Sequence, residues 1–160
     1  MSKTGSGFTL IELITVITII GVLAVVVGPR FASSDVYEQR TFYDDVLKAV
    51  RYAQAKASGS GCITQVDFTA TGFAVTVDAD CSSANGFTAT DLVNPTTFES
   101  GFTQSADLPT DISYSASVDP LLFDARGRAM NSSLNVIASA AQINIGGNTI
   151  QVEGATGYVH

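Results

Sequence analysis

Gly7–Phe31 reads GFTLIELITVITIIGVLAVVVGPRF. From Phe8 to Val27 only Thr9, Glu12, Thr15 and Thr18 carry polar side chains. Twenty residues at the helical rise make roughly 30 Å, enough to cross the hydrocarbon core of a bilayer. Glu12 contradicts a plain anchor. A charge in hydrocarbon costs at least about 2.5 kcal/mol, and intramembrane carboxylates usually carry a function. A charge is tolerated there when an opposite charge meets it in low dielectric.

Outside this run the 160-residue chain changes character, which suits one domain behind an N-terminal appendage. Arg30, Arg40, Lys48, Arg51 and Lys56 roughly balance Asp35, Glu38, Asp44 and Asp45. From Gly59 onward, two basic residues (Arg126, Arg128) stand against ten acidic ones, a net of −8. A surface so acidic repels nucleic acid on average and favours solubility.

An ordinary secretory signal places its small-residue cleavage site after the apolar stretch. Here no such site follows Val27, and the small residue Gly7 precedes the run. The order Gly7, Phe8, Glu12, long apolar run, Gly28-Pro29 resembles the class III leader of type IV prepilins and pseudopilins. The resemblance implies that a prepilin peptidase cuts between Gly7 and Phe8, removing Lys3, and that Phe8 is then N-methylated. It implies an inner-membrane precursor with a periplasmic domain, an assembly platform as partner, and a pilus or pseudopilus as destination. The cut would give Phe8 the amine that is the only partner expected for Glu12 within the chain, one helical turn away; the resemblance implies that Glu12 instead neutralises the Phe8 amine of a neighbouring subunit and so sets the axial register. A single-span anchor retaining its N-terminus is the plainer alternative.

The same resemblance divides the chain into a leader (1–7), a transmembrane and assembly helix (8–29), an amphipathic second half of the stem (30–58) and a globular β domain (59–160). Gly28-Pro29 should kink the stem, because Pro lacks an N–H and clashes with the preceding turn. Asp35-Val36-Tyr37-Glu38 resembles a capping box with Asp35 as cap. Phe42, Val46, Ala49/Val50, Ala53 and Ala57 then recur at helical spacing, small toward the lower end, until Gly59-Ser60-Gly61 ends the helix.

Cys62–Cys81 reads CITQVDFTATGFAVTVDADC. With Thr71-Gly72 as a two-residue turn, Ala70 faces Phe73, Phe68 faces Val75, Val66 faces Val77 and Cys62 faces Cys81. One face is then nearly all apolar and the other mostly polar. Export puts these two cysteines, the only ones in the chain, in an oxidising compartment, so a Cys62–Cys81 disulfide is expected rather than two buried thiols. Closing a ring of about 20 residues stabilises by roughly 3 kcal/mol.

Residues 82–111 are turn-rich, with Phe87, Leu92, Phe98 and Phe102 as packing points. Strands are expected at 112–117, 121–124, 135–138, 142–145 and 149–153. The last two form a hairpin around Gly147-Asn148, with Ile145 facing Ile150 and Ile143 facing Val152. The fold class is therefore α+β, a long N-terminal helix packed on an antiparallel sheet.

A second resemblance narrows the group. Arg51–Ala57 (RYAQAKA), Leu122–Arg128 (LFDARGR) and the ending Thr156-Gly157-Tyr158-Val159 are similar to the GspH/FimT minor pilins and pseudopilins. Pro29-Arg30-Phe31 and the single disulfide resemble a minor pilin of the mannose-sensitive haemagglutinin (MSHA) type. Three roles follow as expectations: a structural minor pilin, a pseudopilin of a type II secretion system, or, through Arg126 and Arg128, a DNA-binding minor pilin. The plainer reading pairs these arginines with neighbours such as Asp124.

Asp78, Asp80, Asp107 and Asp111 are candidates for calcium, but no run fits a defined calcium loop, and solvated carboxylates are the better reading. No metal and no cofactor are expected. No enzyme is expected either. The cysteines are committed, His160 is terminal and expected to be mobile, and Gly146-Gly147 opens no helix that would cradle a phosphate.

Overall fold

The computed structural model describes residues 8–27, 34–69, 72–82, 86–95, 101–104 and 113–160. It divides into two units, Met1–Tyr37 and Glu38–His160. Gly7, Gly28 and Pro29, with the expected cleavage site and kink, lie outside the described residues.

The first unit is built on helix α1 (Leu10–Val27). Its aliphatic side chains occur all round, and every one described is exposed, from Leu10 to Leu23. A helix without a polar face needs apolar surroundings on all sides. Among the described residues no helix is long and apolar enough to cross a membrane. The described side chains of α1 stop at Ala24, short of the apolar run read in the sequence.

Helix α2 (Ser34–Ser60) begins one residue before Asp35, which therefore lies in its first turn and not at its cap. Its apolar stripe is the one expected: Phe42, Val46, Ala49, Val50, Ala53 and Ala57 are all buried. Gly61 ends the helix in a left-handed conformation (φ 74°), its N–H bonding the Ala57 carbonyl at 2.9 Å.

The stripe packs on two antiparallel sheets. Their strands are β1 (Thr64–Thr69), β2 (Gly72–Asp78), β3 (Ala89–Asp91), β4 (Phe102–Gln104), β5 (Tyr114–Ala116), β6 (Leu121–Phe123), β7 (Ala129–Met130), β8 (Ala141–Ile145) and β9 (Asn148–Val152). The first sheet runs β3-β2-β1-β6-β7, with β4 also pairing β2; the second runs β5-β8-β9. Val66, Phe73, Val75, Leu121 and Phe123 of one sheet and Ile143, Ile145, Ile150 and Val152 of the other join the stripe in a single core. The opposite face of the first sheet buries a smaller cluster, Ile63, Leu122 and Met130, with Phe87 and Leu134 against it. Covered on both faces, β6 is apolar throughout.

Both hairpin registers differ from expectation by one step. In β1–β2, Phe68 faces Phe73, Val66 faces Val75 and Thr64 faces Val77. In β8–β9, Ile143 faces Ile150 and Ile145 faces Asn148 across Gly146-Gly147, where Gly146 has φ 58°. That positive φ is what a tight hairpin turn demands and glycine supplies. Each partner moves by two residues, so every side chain keeps its expected face.

The strand expected at 135–138 is absent. Asn131 takes over that backbone: its Oδ1 accepts the N–H of Ser133 and of Asn135, and its own N–H bonds the Asn135 carbonyl. A turn so stabilised outcompetes a ladder, and only a single bridge, Met130 to Val136, remains. In the long segment after Ser82, β3 and β4 add two short strands along β2, and Leu92 is buried as a packing point. Phe98 lies outside the described residues.

Candidate functional site: the helix start and the clasp behind the domain

Thr9 and Glu12 form a reciprocal cap on α1. The Thr9 N–H and hydroxyl donate to Glu12 Oε2 at 3.4 and 3.3 Å, and Thr9 Oγ1 accepts the Glu12 N–H at 3.3 Å. This is the Thr-x-x-Glu capping box, which satisfies two orphan donors of the first turn. It corrects the expectation that the Phe8 amine is Glu12's only possible partner within the chain. The signal, Thr9-Leu10-Ile11-Glu12, was present in the sequence. Both donors reach Oε2, so Oε1 keeps its lone pairs for another donor. Glu12 and Phe8 are exposed. Thr15 and Thr18 bond back to the carbonyls of Ile11 (2.6 Å) and Thr15 (2.8 Å), which satisfies their hydroxyls within the helix.

In the second unit the Cys62–Cys81 disulfide is present. It does not close across facing residues, as the expected register required. The ladder ends where the Asp78 N–H bonds the Ile63 carbonyl at 2.8 Å. Beyond it, Cys81 turns back through a left-handed backbone (φ 55°) to place its Cα 4.4 Å from that of Cys62.

Residues of Arg51–Ala57, Leu122–Arg128 and the C-terminal Thr156–Val159 converge behind the core. Gln54 Nε2 donates to the Thr156 carbonyl at 3.1 Å and to the Gly127 carbonyl at 3.5 Å. Arg51 Nη2 donates to the Val159 carbonyl at 3.2 Å. One turn of α2 thus grips the loop after β6 and the C-terminal segment together. A methyl group on Gly157 would collide with the Gly127 carbonyl, so this crossing admits only glycine. His160, expected to be mobile, is tied to the domain: it exchanges two backbone bonds with Gln151, at 2.7 and 3.0 Å, and its ring stacks on Tyr158.

Arg128 pairs with Asp124. Its Nη2 and Nε lie 2.6 and 2.8 Å from Oδ2, while Oδ1 accepts the N–H groups of Arg126 and Arg128, each at 2.9 Å. Burial alone would raise the Asp124 pKa. The hydrogen bonds from Arg128 and Arg126 and the Arg128 charge outweigh it, holding the carboxyl below its ordinary value. The Arg126 guanidinium is exposed and forms no ion pair among the described residues.

Of the calcium candidates, Asp78 is buried with Oδ1 accepting the Thr88 N–H and Oδ2 unpartnered. Asp80 Oδ1 accepts the Ser82 N–H, and Asp107 and Asp111 lie outside the described residues. Among the described residues no three His, Cys, Asp or Glu side chains gather as a metal site would require. Tyr114, wedged edge-on against Phe42 and Phe68, has its pKa pushed up by burial and then by the Asp119 charge.

Residues 3–28 match the family model of the prokaryotic N-terminal methylation motif. No curated protein matches the chain. The motif and the helix-on-sheets fold together support a type IV pilin-like protein. Among solved structures, the chain is similar to the type IV minor pilin FimU of Pseudomonas aeruginosa, strain PAO1. The two share 14% identity over 78% of this chain and 87% of that one, with a TM-score of 0.51.

Proposed function

We propose that this chain is a structural minor subunit of a type IV pilus, of the FimT or MSHA kind, with no catalytic role. The observation that carries the proposal is the match of residues 3–28 to the methylation motif, with Glu12 inside it. In this reading a prepilin peptidase cuts between Gly7 and Phe8, and Phe8 is N-methylated. Phe8–Val27 first holds the precursor in the inner membrane, with the domain in the periplasm. It then leaves through the assembly platform to pack in the fibre among other pilin subunits. The all-round apolar surface of α1 suits both surroundings. Glu12 has two successive uses. Its Oε2 caps its own helix through Thr9, and its open Oε1 receives the Phe8 amine of a neighbour. The helix kink expected from Gly28-Pro29 belongs to the same proposal.

The test is co-expression with a prepilin peptidase, mass spectrometry of the N-terminus, and quantification of the subunit in sheared pili. We expect a mature chain starting at N-methylated Phe8. We expect Glu12→Ala to be cut normally yet fall at least about tenfold in the fibre, the loss of one charge-assisted bond. Wild-type incorporation of Glu12→Ala would end the assembly role. Intact pili with lost export of folded proteins, after deletion of the gene, would move the subunit to a type II secretion system.

A further inference from the structure

A groove of about 360 Å³ opens beside the disulfide, at the edge of the second apolar cluster. Ile63, Met130 and Leu134 give it an apolar lining, and Asp124, Arg126 and Arg128 its charge. Two features set it apart. Among the described residues, the non-glycine residues with left-handed backbone are Cys81 (φ 55°) and Leu134 (φ 59°), and both line this groove. Such conformations cost of order 1–3 kcal/mol each and cluster at binding sites. In addition, Asp124 and Arg128 neutralise each other through two short bonds. The groove therefore keeps one net positive charge, the unpaired Arg126, on a domain that is otherwise acidic.

We propose that this groove docks an extended acidic segment of a partner protein, with one carboxylate on Arg126 and an adjacent aliphatic side chain against Ile63, Met130 and Leu134. The chemistry selects this occupant. A wholly apolar segment would cover Arg126 without pairing it, which is costly. A nucleic acid would set a chain of phosphates against a surface carrying ten acidic residues from Gly59 onward, with a single free guanidinium to answer them. A carboxylate beside an aliphatic group satisfies both the charge and the apolar lining. The proposal stands apart from the assembly role of α1, since every residue in it belongs to the second unit.

The experiment uses the full chain in detergent micelles with methyl-¹³C methionine. Met1 and Met130 are its only methionines, so Met130 reports the groove directly. The probe is the peptide acetyl-Leu-Glu-Leu-amide, with acetyl-Leu-Gln-Leu-amide as control. We expect the Met130 signal to move saturably with the Glu peptide. We expect affinity to drop about tenfold with the Gln peptide or in Arg126→Gln, the loss of one charge-assisted hydrogen bond, and to be partly kept in Arg126→Lys. Arg126 is exposed, so these variants keep the fold. An unmoved Met130 signal, or equal response to the two peptides, overturns the proposal. So does a response to a single-stranded oligonucleotide that depends on Arg126 when the Glu peptide gives none.

Discussion

Asp124 accepts four N–H groups on two oxygens, two from the Arg128 side chain and two from the backbone of the loop that β6 enters. That loop carries Gly127, whose carbonyl meets Gln54, so the carboxylate organises one side of the clasp. Because its folded pKa is depressed, its ionised form contributes stability above the unfolded value of about 4. That contribution is lost as pH falls through the folded value. Asp124→Asn retains an acceptor for the backbone but loses the charge facing Arg128. We expect the variant to be less stable by about 1–2 kcal/mol at pH 7. The gap should narrow as pH falls below about 4. Urea midpoints of both proteins at pH 7, 5 and 3 measure this; a gap independent of pH would remove the charge from the explanation. At this scale the sequence was partly legible. Arg128 with Asp124 is a contact four residues apart, and Thr9 with Glu12 one of three, so both follow from local spacing. Arg51 with Val159 spans 108 residues and Gln54 with Gly127 spans 73. Nothing local to Arg51 or Gln54 announces a carbonyl that distant.

At the scale of elements, the buried face of α2 was readable to the residue, though not its first turn, because a helix face repeats with one period and carries its own register. The hairpins were readable only to within parity. Alternation in Val66, Phe68, Phe73 and Val75 states which face each residue takes, but not which one stands opposite. Turn chemistry must decide that, and here it lies one step earlier than Thr71-Gly72 and Gly147-Asn148 suggested. Order within the sheets was not readable at all, since β1 meets β6 more than fifty residues later. The alanines of α2 show what this packing tolerates. Ala53 is fully buried, and its carbonyl accepts the Thr64 hydroxyl at 2.7 Å, tying helix to sheet. Ala53→Leu should overpack this contact and cost about 1–3 kcal/mol. Ala55→Leu, on the exposed side of the same turn, should stay within about 0.5 kcal/mol of wild type. Thermal unfolding of the two variants separates packing from helix propensity, which the pair shares. Equal melting temperatures would mean that the sheet yields where the structure shows it closely packed.

Across the whole molecule, folding and assembly draw on different residues. Every residue of the main core lies between Phe42 and Val159, and both clusters belong to the second unit. The described apolar side chains of α1 are exposed. The core draws its described members from the second unit. A fragment from Ser34 to His160 should therefore remain soluble without detergent and unfold in one cooperative transition, as small single domains do. The disulfide stays inside this fragment, so reduction should lower its stability by roughly 3 kcal/mol without abolishing the transition. Near-ultraviolet circular dichroism against temperature, with and without reductant, reads both effects. A fragment that aggregates, or melts without cooperativity, would show that residues before Ser34 supply part of the fold. A cooperative fragment would leave the residues before Ser34 free of any folding duty, and would leave their sequence, Glu12 included, answerable to anchoring and assembly alone.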